Sequence, residues 1–260
     1  MLLNAKGEYT LTLTEFFARH PKAAIAFSGG VDSAYLLCAA LRAGADVRAY
    51  YVNSAFQPRF EREDAERLAA QLGAQMTVLP LDVLADAQVC ANPPERCYHC
   101  KRRVFGAIRD AAARDGYPVL LDGTNASDDP GDRPGVRALR ELEVLSPLRD
   151  CGLTKADVRR LSREAGLFTW DKPAYACLAT RIPHGTPITA AALERTEAAE
   201  EYLKALGFTD FRVRTRGNDA KLEVRGEQLP LLLEKRGEIL TELKKHYSAV
   251  LLDLEVRHGQ

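Results

Sequence analysis

The sequence predicts an α/β protein: a doubly wound parallel sheet followed by a small α+β domain. Three observations carry that reading. Short apolar runs alternate with helix-length amphipathic segments over most of the chain. The first strong run, Lys22 to Phe27, ends at the glycine pair Gly29-Gly30 and passes straight into a helical pattern. From about residue 188 the order changes to helix, two strands, helix, strand.

The elements follow in order. Residues 11–20 read as a short amphipathic helix, and residues 22–27 (KAAIAF) as a strand buried on both faces. Asp32 to Ala43 is a helical apolar stretch, and Val47–Val52 is a second strand. Residues 61–72 form a helix that Gly73 caps at its carboxyl end. Met76–Leu79 is a third strand, and Cys97–Arg114 a helix after Pro93-Pro94. Val119–Leu121 is a fourth strand, Glu143–Leu148 a fifth. Thr154–Ala165 is a helix opened by a Thr154/Asp157 capping box and closed by Gly166. Residues 170–187, rich in Pro and Gly, form a long structured connection. The domains are therefore expected at 1–187 and 188–260. In the second, 189–206 and 229–246 read as helices, with 211–216, 221–224 and 249–254 as strands. Ligands of a parallel sheet gather at the carboxyl ends of its strands, which selects the loops 28–33, 53–56 and 122–132.

Composition narrows the function classes. The chain has 260 residues, of which 46% are hydrophobic, enough for a sizeable core. Lys plus Arg and Asp plus Glu are both 36. No global positive field draws the chain to nucleic acid, although a local basic patch is compatible with that balance. No run of about 18 apolar residues exists, so no membrane helix is expected. Met1-Leu2-Leu3 followed by Asn4 and Lys6 does not read as a secretory leader. The expected location is the cytoplasm, where six cysteines (38, 90, 97, 100, 151 and 177) are not a disulfide framework.

The loop Ser28-Gly29-Gly30-Val31-Asp32-Ser33 is the strongest motif. Two glycines let a phosphate approach the backbone, and the unpaired N–H groups at the start of the next helix point at an anion. Ser28 and Ser33 can donate hydroxyl hydrogen bonds. Asp32 repels a bare phosphate, so its role is to bind Mg²⁺ or to orient the first helical turn. The loop is not a Walker A sequence, because the Gly-Lys-Ser/Thr ending is missing. A serine-capped turn alone would share part of this pattern; the full hexapeptide between strand and helix points to ATP. The nucleotide-binding candidates are Ser28, Gly29, Gly30, Asp32 and Ser33, with Asn53, Ser54 and Gly123 from the neighbouring strand ends. The stretch resembles the PP-loop ATP pyrophosphatases, in which the loop holds the pyrophosphate end of ATP while a substrate oxygen attacks the α-phosphorus.

Cys97 and Cys100 open a helix and share one of its faces. A helix N-terminus favours the thiolate that binds metal, and Lys101, Arg102 and Arg103 add positive charge. Cys177 lies far along the chain. Three readings stand together: a 4Fe-4S cluster on Cys97, Cys100 and Cys177 with one iron open; a structural zinc completed by Cys90 or His99; or an inert pair, with Cys177 alone as a nucleophile. Cys38 reads as a buried small hydrophobe.

Several stretches taken together resemble one family: SGGVDS at 28–33, NPPERCYHCKRRVF at 92–105, LDGTNASD at 121–128, GDRPGVRA at 131–138, SPL at 146–148 and WDKPAYACLATRIPHGTPIT at 170–189. They resemble the LarE family of ATP-dependent sulfur transferases, with the adenine nucleotide alpha hydrolase-like fold. The resemblance implies that ATP adenylates a carboxylate of a pyridinium dicarboxylate mononucleotide, and that sulfur then displaces AMP to give a thiocarboxylate for a nickel-pincer nucleotide. In one branch of the family the cysteine at the position of Cys177 gives up its own sulfur; in the other, three cysteines carry a 4Fe-4S cluster. The presence of all three cysteines here favours the cluster branch. From motif position, Arg181, Arg133 and Lys172 would neutralise phosphate charge, with Asp128 and Asp132 as Mg²⁺ candidates. Surface salt bridges would serve each of these residues equally well. Arg212, Arg214 and Arg216 alternate along one strand and share a face, which would suit the substrate phosphate, with Glu200 or Glu223 at a subunit contact of a homo-oligomer. A solvated sheet face accounts for the same pattern.

Three rivals remain open. A tRNA 2-thiolation enzyme would need an RNA-binding surface, which zero net charge argues against. An ammonia-using amide synthetase of the same superfamily leaves the cysteines without work. A nucleotide-sensing module would make no AMP.

Overall fold

The computed structural model describes residues 2–3, 9–128, 131 and 134–257. In chain order it forms β1 (Leu2–Leu3), β2 (Tyr9–Thr10), α1 (Leu13–Arg19), β3 (Lys22–Ala26), α2 (Val31–Arg42), β4 (Asp46–Asn53), α3 (Arg59–Leu72), β5 (Met76–Pro80), α4 (Ala87–Cys90), α5 (Arg96–Arg114) and β6 (Leu120–Leu121). There follow α6 (Pro134–Glu141), α7 (Pro147–Asp150), α8 (Lys155–Glu164), a 3-10 turn (Leu178–Arg181), α9 (Ala190–Ala205), β7 (Arg212–Arg216), β8 (Asp219–Glu223), a second 3-10 turn (Gly226–Gln228), α10 (Leu229–Glu234), α11 (Arg236–Leu243) and β9 (Val250–Leu252).

The chain divides into two compact units, residues 1–81 with 95–172, and 82–94 with 173–260. The division between Lys172 and Pro173 comes earlier than the 187/188 boundary read from composition. Asn92 supplies the reason. Its side-chain Nδ2 donates to the carbonyls of Ile182 (3.3 Å), Pro183 (2.8 Å) and Thr186 (3.0 Å). Gly185 N–H donates back to the Asn92 carbonyl, and Ile188 N–H to that of Cys90. The 82–94 stretch is thus stitched to the Pro- and Gly-rich connection. Asn92 holds φ +54, a left-handed conformation that asparagine tolerates better than most residues.

The first unit carries a parallel sheet in the order β5-β4-β3-β6. β3 is buried on both faces, as its sequence requires. Ala23 and Ile25 pack with Phe17 of α1 and Leu36 and Leu37 of α2. Ala24 packs with Tyr50 and with Ile108, Ala111 and Ala112 of α5. Each fully buried Ile, Leu or Phe side chain here contributes about 1.5–3 kcal/mol. The expected fifth strand is absent as a strand among the described residues. Leu145 makes a single parallel bridge to Leu121, Glu143 turns the chain at φ +55, and Pro147 begins α7. Proline has no N–H for the ladder, so pairing cannot extend past Ser146.

In the second unit β7 pairs antiparallel with β8, and β9 adds parallel to β8. Leu203, Phe208, Val213, Leu222, Ile239, Leu243 and Tyr247 form its core. The single helix expected over 229–246 is two helices, broken at Lys235 just before Gly237, a poor helix former.

Candidate active site

The phosphate loop closes on the Ser33 hydroxyl. The Ser28 N–H donates to Ser33 Oγ (3.2 Å), and that hydroxyl donates to the Gly30 carbonyl (3.2 Å). The Gly30 N–H donates to Ser28 Oγ (3.3 Å). Gly30 is the N-cap of α2, and no side chain among the described residues caps that helix. Its first N–H groups are therefore presented to the loop, an anion-binding arrangement.

The two glycines do different work. Gly29 has φ +71, and a Cβ there would lie 3.1 Å from the backbone and Cβ of Ala65 on α3. Gly30 has φ −80, open to any residue. Gly123, from the loop after β6, is as constrained as Gly29: a Cβ would lie 2.8 Å from the Ser33 nitrogen and 3.1 Å from Asp32 Cβ. Gly123 thus lets the β6 loop press against the first turn of α2.

Asp32 sits in that turn, half-buried. Lys155 Nζ pairs with its Oδ2 at 2.5 Å, and Asn125 Nδ2 donates to its Oδ1 at 3.1 Å. The surrounding loop is rigidly bonded. Asp122, buried, accepts from Thr124 N–H, Thr124 Oγ1 and Ser146 Oγ. Asp128 Oδ2 accepts the Asn125 N–H at 2.8 Å, so this exposed residue closes the turn. Asn53 ends β4, its carbonyl accepting from Leu81 N–H. Ser54 Oγ donates to Gln57 Oε1 and accepts from Phe56 N–H, shaping the turn before α3. Lys172 pairs with Asp64 of α3 at 2.7 Å over the Phe60 ring. Arg133 and Asp132 lie outside the described residues.

Cys97 and Cys100 stand one turn apart at the start of α5, Cys97 exposed and Cys100 half-buried. Arg96, buried, donates Nη2 to Cys97 Sγ at 3.8 Å. Among the described residues no group of three or more His, Cys, Asp or Glu is arranged to hold a metal ion. Of the metal-ligand candidates expected from sequence, Cys97 and Cys100 lie in the first unit and Cys177 in the second. None of the six cysteines forms a disulfide.

In the second unit Cys177 precedes the 3-10 turn, half-buried, in a strap whose carbonyls are gripped by arginines. Arg212 Nη2 donates to the Ala174 carbonyl (2.9 Å), Arg181 Nη1 to Ala176 (2.8 Å), and Arg214 Nη1 to Thr180 (2.6 Å). Arg181 is wholly buried and makes two bonds to Glu200, at 2.8 and 3.0 Å. Glu200 also accepts from Tyr175 OH and from Val213 N–H. Burial pulls the Arg181 pKa down, but the Glu200 bond and charge outweigh it and hold it above the ordinary value. Arg212 is pushed down, by burial first and then by Arg181 and Arg257. Arg214 pairs with Glu223 at 2.7 Å, and Arg216 is exposed.

These contacts change several expected roles. Arg181, assigned from sequence to charge neutralisation at the phosphates, is enclosed and fully bonded within its own unit. Its Nη1 holds the Ala176 carbonyl, next to Cys177. Arg212 and Arg214, assigned to the substrate phosphate, each hold one strap carbonyl. Glu200 and Glu223, assigned to a subunit contact, are occupied by arginines of their own chain. Sequence reading missed Lys155, Asp64 and Asn92. Lys155 left one signal, since a cation at the first position of a helix opposes the dipole.

Residues 22–92 match the family described as "Queuosine biosynthesis protein QueC". An uncharacterized protein of Synechocystis sp. is 35% identical over 247 residues, 94% of this chain and 92% of the relative. The pyridinium-3,5-bisthiocarboxylic acid mononucleotide synthase of Lactiplantibacillus plantarum is 37% identical over 202 residues, 77% of this chain and 73% of the relative. The tRNA-specific 2-thiouridylase MnmA of Frankia alni is 30% identical over 183 residues, 57% of this chain and 52% of the relative. With the loop formed, and with a relative of that identity and coverage, the chain belongs to the LarE family of ATP-dependent sulfur transferases.

Proposed function

We propose that this enzyme adenylates a carboxylate of a pyridinium dicarboxylate mononucleotide and converts it to a thiocarboxylate. The 37% identity to the synthase whose name states that product carries the reading. The uncapped start of α2 behind Ser28–Ser33 supplies N–H donors for the pyrophosphate end of ATP. A carboxylate oxygen attacks the α-phosphorus, the α–β bond breaks, and pyrophosphate leaves with the electron pair. Mg²⁺ would neutralise phosphate charge. The Asp32 carboxylate beside the loop suits an ion held mainly by phosphate and water.

Sulfur then enters at the acyl carbon. The Cys177 thiolate attacks it and AMP leaves, giving a thioester. Loss of the Cα proton and cleavage of the Cβ–S bond release the thiocarboxylate and leave dehydroalanine at 177. Cys97 and Cys100 have the donor chemistry for a 4Fe-4S cluster, and a cluster completed by Cys177 would supply a transferable sulfide at an open iron. The two routes differ in the fate of Cys177, which is consumed in the first and kept in the second. Six cysteines without a disulfide accord with a cytoplasmic enzyme. No helix among the described residues is long and apolar enough to cross a membrane. Leu251 in the edge strand β9 and Leu254 just after it, 47% and 87% exposed, support a homo-oligomer, which light scattering would detect.

Incubation with ATP and the dicarboxylate mononucleotide tests the reading. Substrate-dependent AMP and pyrophosphate with a thiocarboxylate product is expected; tRNA-dependent AMP instead would replace it with the thiouridylase reading. Mass spectrometry of Cys177 after turnover tests the sulfur route. Loss of the elements of H₂S supports it. An intact Cys177, in anaerobic protein carrying iron and labile sulfide, would assign the sulfur to a cluster.

A further inference from the structure

We propose that Arg257, in the segment after β9, is a positioning residue for sulfur delivery: by occupying Asp210 it keeps Arg212 on the strap that carries Cys177. The inference rests on the reading above that sulfur reaches the acyl carbon through Cys177.

All the groups involved belong to the second unit. After β9 the chain runs beside the end of β8. The Asp253 N–H donates to the Leu222 carbonyl, and the Arg257 N–H to that of Val224. Asp253 also pairs with Lys221 of β8. This backbone pairing delivers the Arg257 side chain to the turn before β7. Its Nε donates to the Asp210 carbonyl and its Nη2 to Asp210 Oδ1, both at 3.0 Å. Its Nη1 lies 3.8 Å from Glu223 Oε2. The guanidinium thus holds a residue whose backbone needs holding, since Asp210 has φ +45.

The two carboxylates that Arg257 meets are those beside the strap-holding arginines. Arg214 Nε bonds Glu223 Oε1 at 2.7 Å, but Arg212 Nη1 stands 3.9 Å from Asp210 Oδ1, beyond hydrogen-bond reach. Arg212 gives its donors to the carbonyls of Phe211 (2.6 Å) and Ala174 (2.9 Å) instead. A guanidinium ordinarily prefers a carboxylate to a neutral carbonyl, because bonds between ionised partners are about twice as strong. Arg257 keeps Arg212 off Asp210: it already bonds that oxygen, and it repels a second guanidinium. Its charge acts with burial and Arg181, the larger causes, to push the Arg212 pKa down. Without Arg257, Asp210 is a carboxylate only 11% exposed with Arg212 at its side. The Arg212 guanidinium would turn to it and release Ala174, three residues before Cys177.

The test is a single-turnover reaction with ATP and the dicarboxylate mononucleotide, following pyrophosphate and thiocarboxylate in wild type, in Arg257→Gln, and in Arg257→Gln combined with Asp210→Asn. The same proteins, without ATP, are alkylated with iodoacetamide, and the labelling of Cys177 is timed by mass spectrometry. Arg257→Gln is expected to release pyrophosphate at the wild-type rate and to form thiocarboxylate about 3- to 10-fold more slowly, the worth of one hydrogen bond. Its Cys177 is expected to label faster by a similar factor, since the strap is less held. The double variant removes the carboxylate that captures Arg212, so both rates should return toward wild type. Arg257→Lys keeps a cation on Asp210 and should lie between wild type and Arg257→Gln. A merely structural Arg257 gives the opposite order, with the second substitution adding to the damage. Unchanged thiocarboxylate and labelling rates in Arg257→Gln would overturn the assignment. So would a loss of activity or of fold that the double variant does not recover. A wild-type chain that formed no thiocarboxylate would fail the reading of Cys177 instead, and the labelling rates would still decide the role of Arg257.

Discussion

Arg181 and Glu200 form a two-point ion pair inside the second unit, Nε to Oε1 at 2.8 Å and Nη2 to Oε2 at 3.0 Å. The same guanidinium holds the Ala176 carbonyl next to Cys177. The pair therefore ties the sulfur-bearing strap to α9. Glu200→Gln keeps the shape and removes the charge, leaving a buried guanidinium uncompensated. The expected cost is about 3–5 kcal/mol, read as a lower unfolding temperature. Thiocarboxylate formation should fall further than pyrophosphate release. An equal fall in both would mean that the pair does not position Cys177.

The phosphate loop separates its glycines. Gly29→Ala meets both a left-handed φ and a 3.1 Å contact with Ala65, and Gly123→Ala a 2.8 Å contact with the Ser33 nitrogen. Both should weaken ATP binding about 5- to 150-fold, given the 1–3 kcal/mol that strained or overpacked backbone costs. Gly30→Ala, at φ −80, should cost far less. Equal losses in all three, measured as ATP Kd, would contradict the loop geometry.

The thiols should react in order of exposure and ionisation. Cys97 is exposed. Burial pushes Cys151 up to about 11 and raises Cys38 as well. Only the thiolate reacts, and a thiol at that value is ionised to about one part in a thousand at pH 8. Iodoacetamide mapped by mass spectrometry should modify Cys97 well before Cys151 and Cys38. Early modification of Cys151 would refute the burial described for it.

Glu223 gives the second unit an acid limit. Burial pushes its carboxyl up, but the hydrogen bond and charge of Arg214, with Lys221, outweigh this and hold it below the usual range. A depressed folded-state pKa contributes stability above the unfolded value near about 4.3, lost as pH falls through the folded value. Arg214→Gln should therefore destabilise the chain at neutral pH, and the difference from wild type should close in acid. A difference constant with pH would show that the pair does not titrate as described.

Much of the first unit was legible because local chemistry and tertiary environment agree there. β3 is apolar at every buried position, Gly73 caps α3 at φ +61, and the Thr154 capping box forms as read. The failures come where long-range contacts decide. Nothing near Asn92 in sequence announces that its amide bonds carbonyls about 90 residues away. Pro147 defeats a strand that apolar pattern alone supports. At the site, the loop and Cys177 could be picked out by motif, but roles could not. The alternation of Arg212 and Arg214 suggested an open anion site, whereas their partners are backbone carbonyls and Glu223. Lys155 was passed over because its partner lies 123 residues earlier.

The central claim is that adenylation and sulfur delivery are separate steps, with Cys177 needed only for the second. The direct measurement is a single-turnover reaction of Cys177→Ala under anaerobic conditions with ATP and the pyridinium dicarboxylate mononucleotide, following pyrophosphate and thiocarboxylate together. The account predicts pyrophosphate release at the wild-type level and no thiocarboxylate. Thiocarboxylate at the wild-type yield would contradict it.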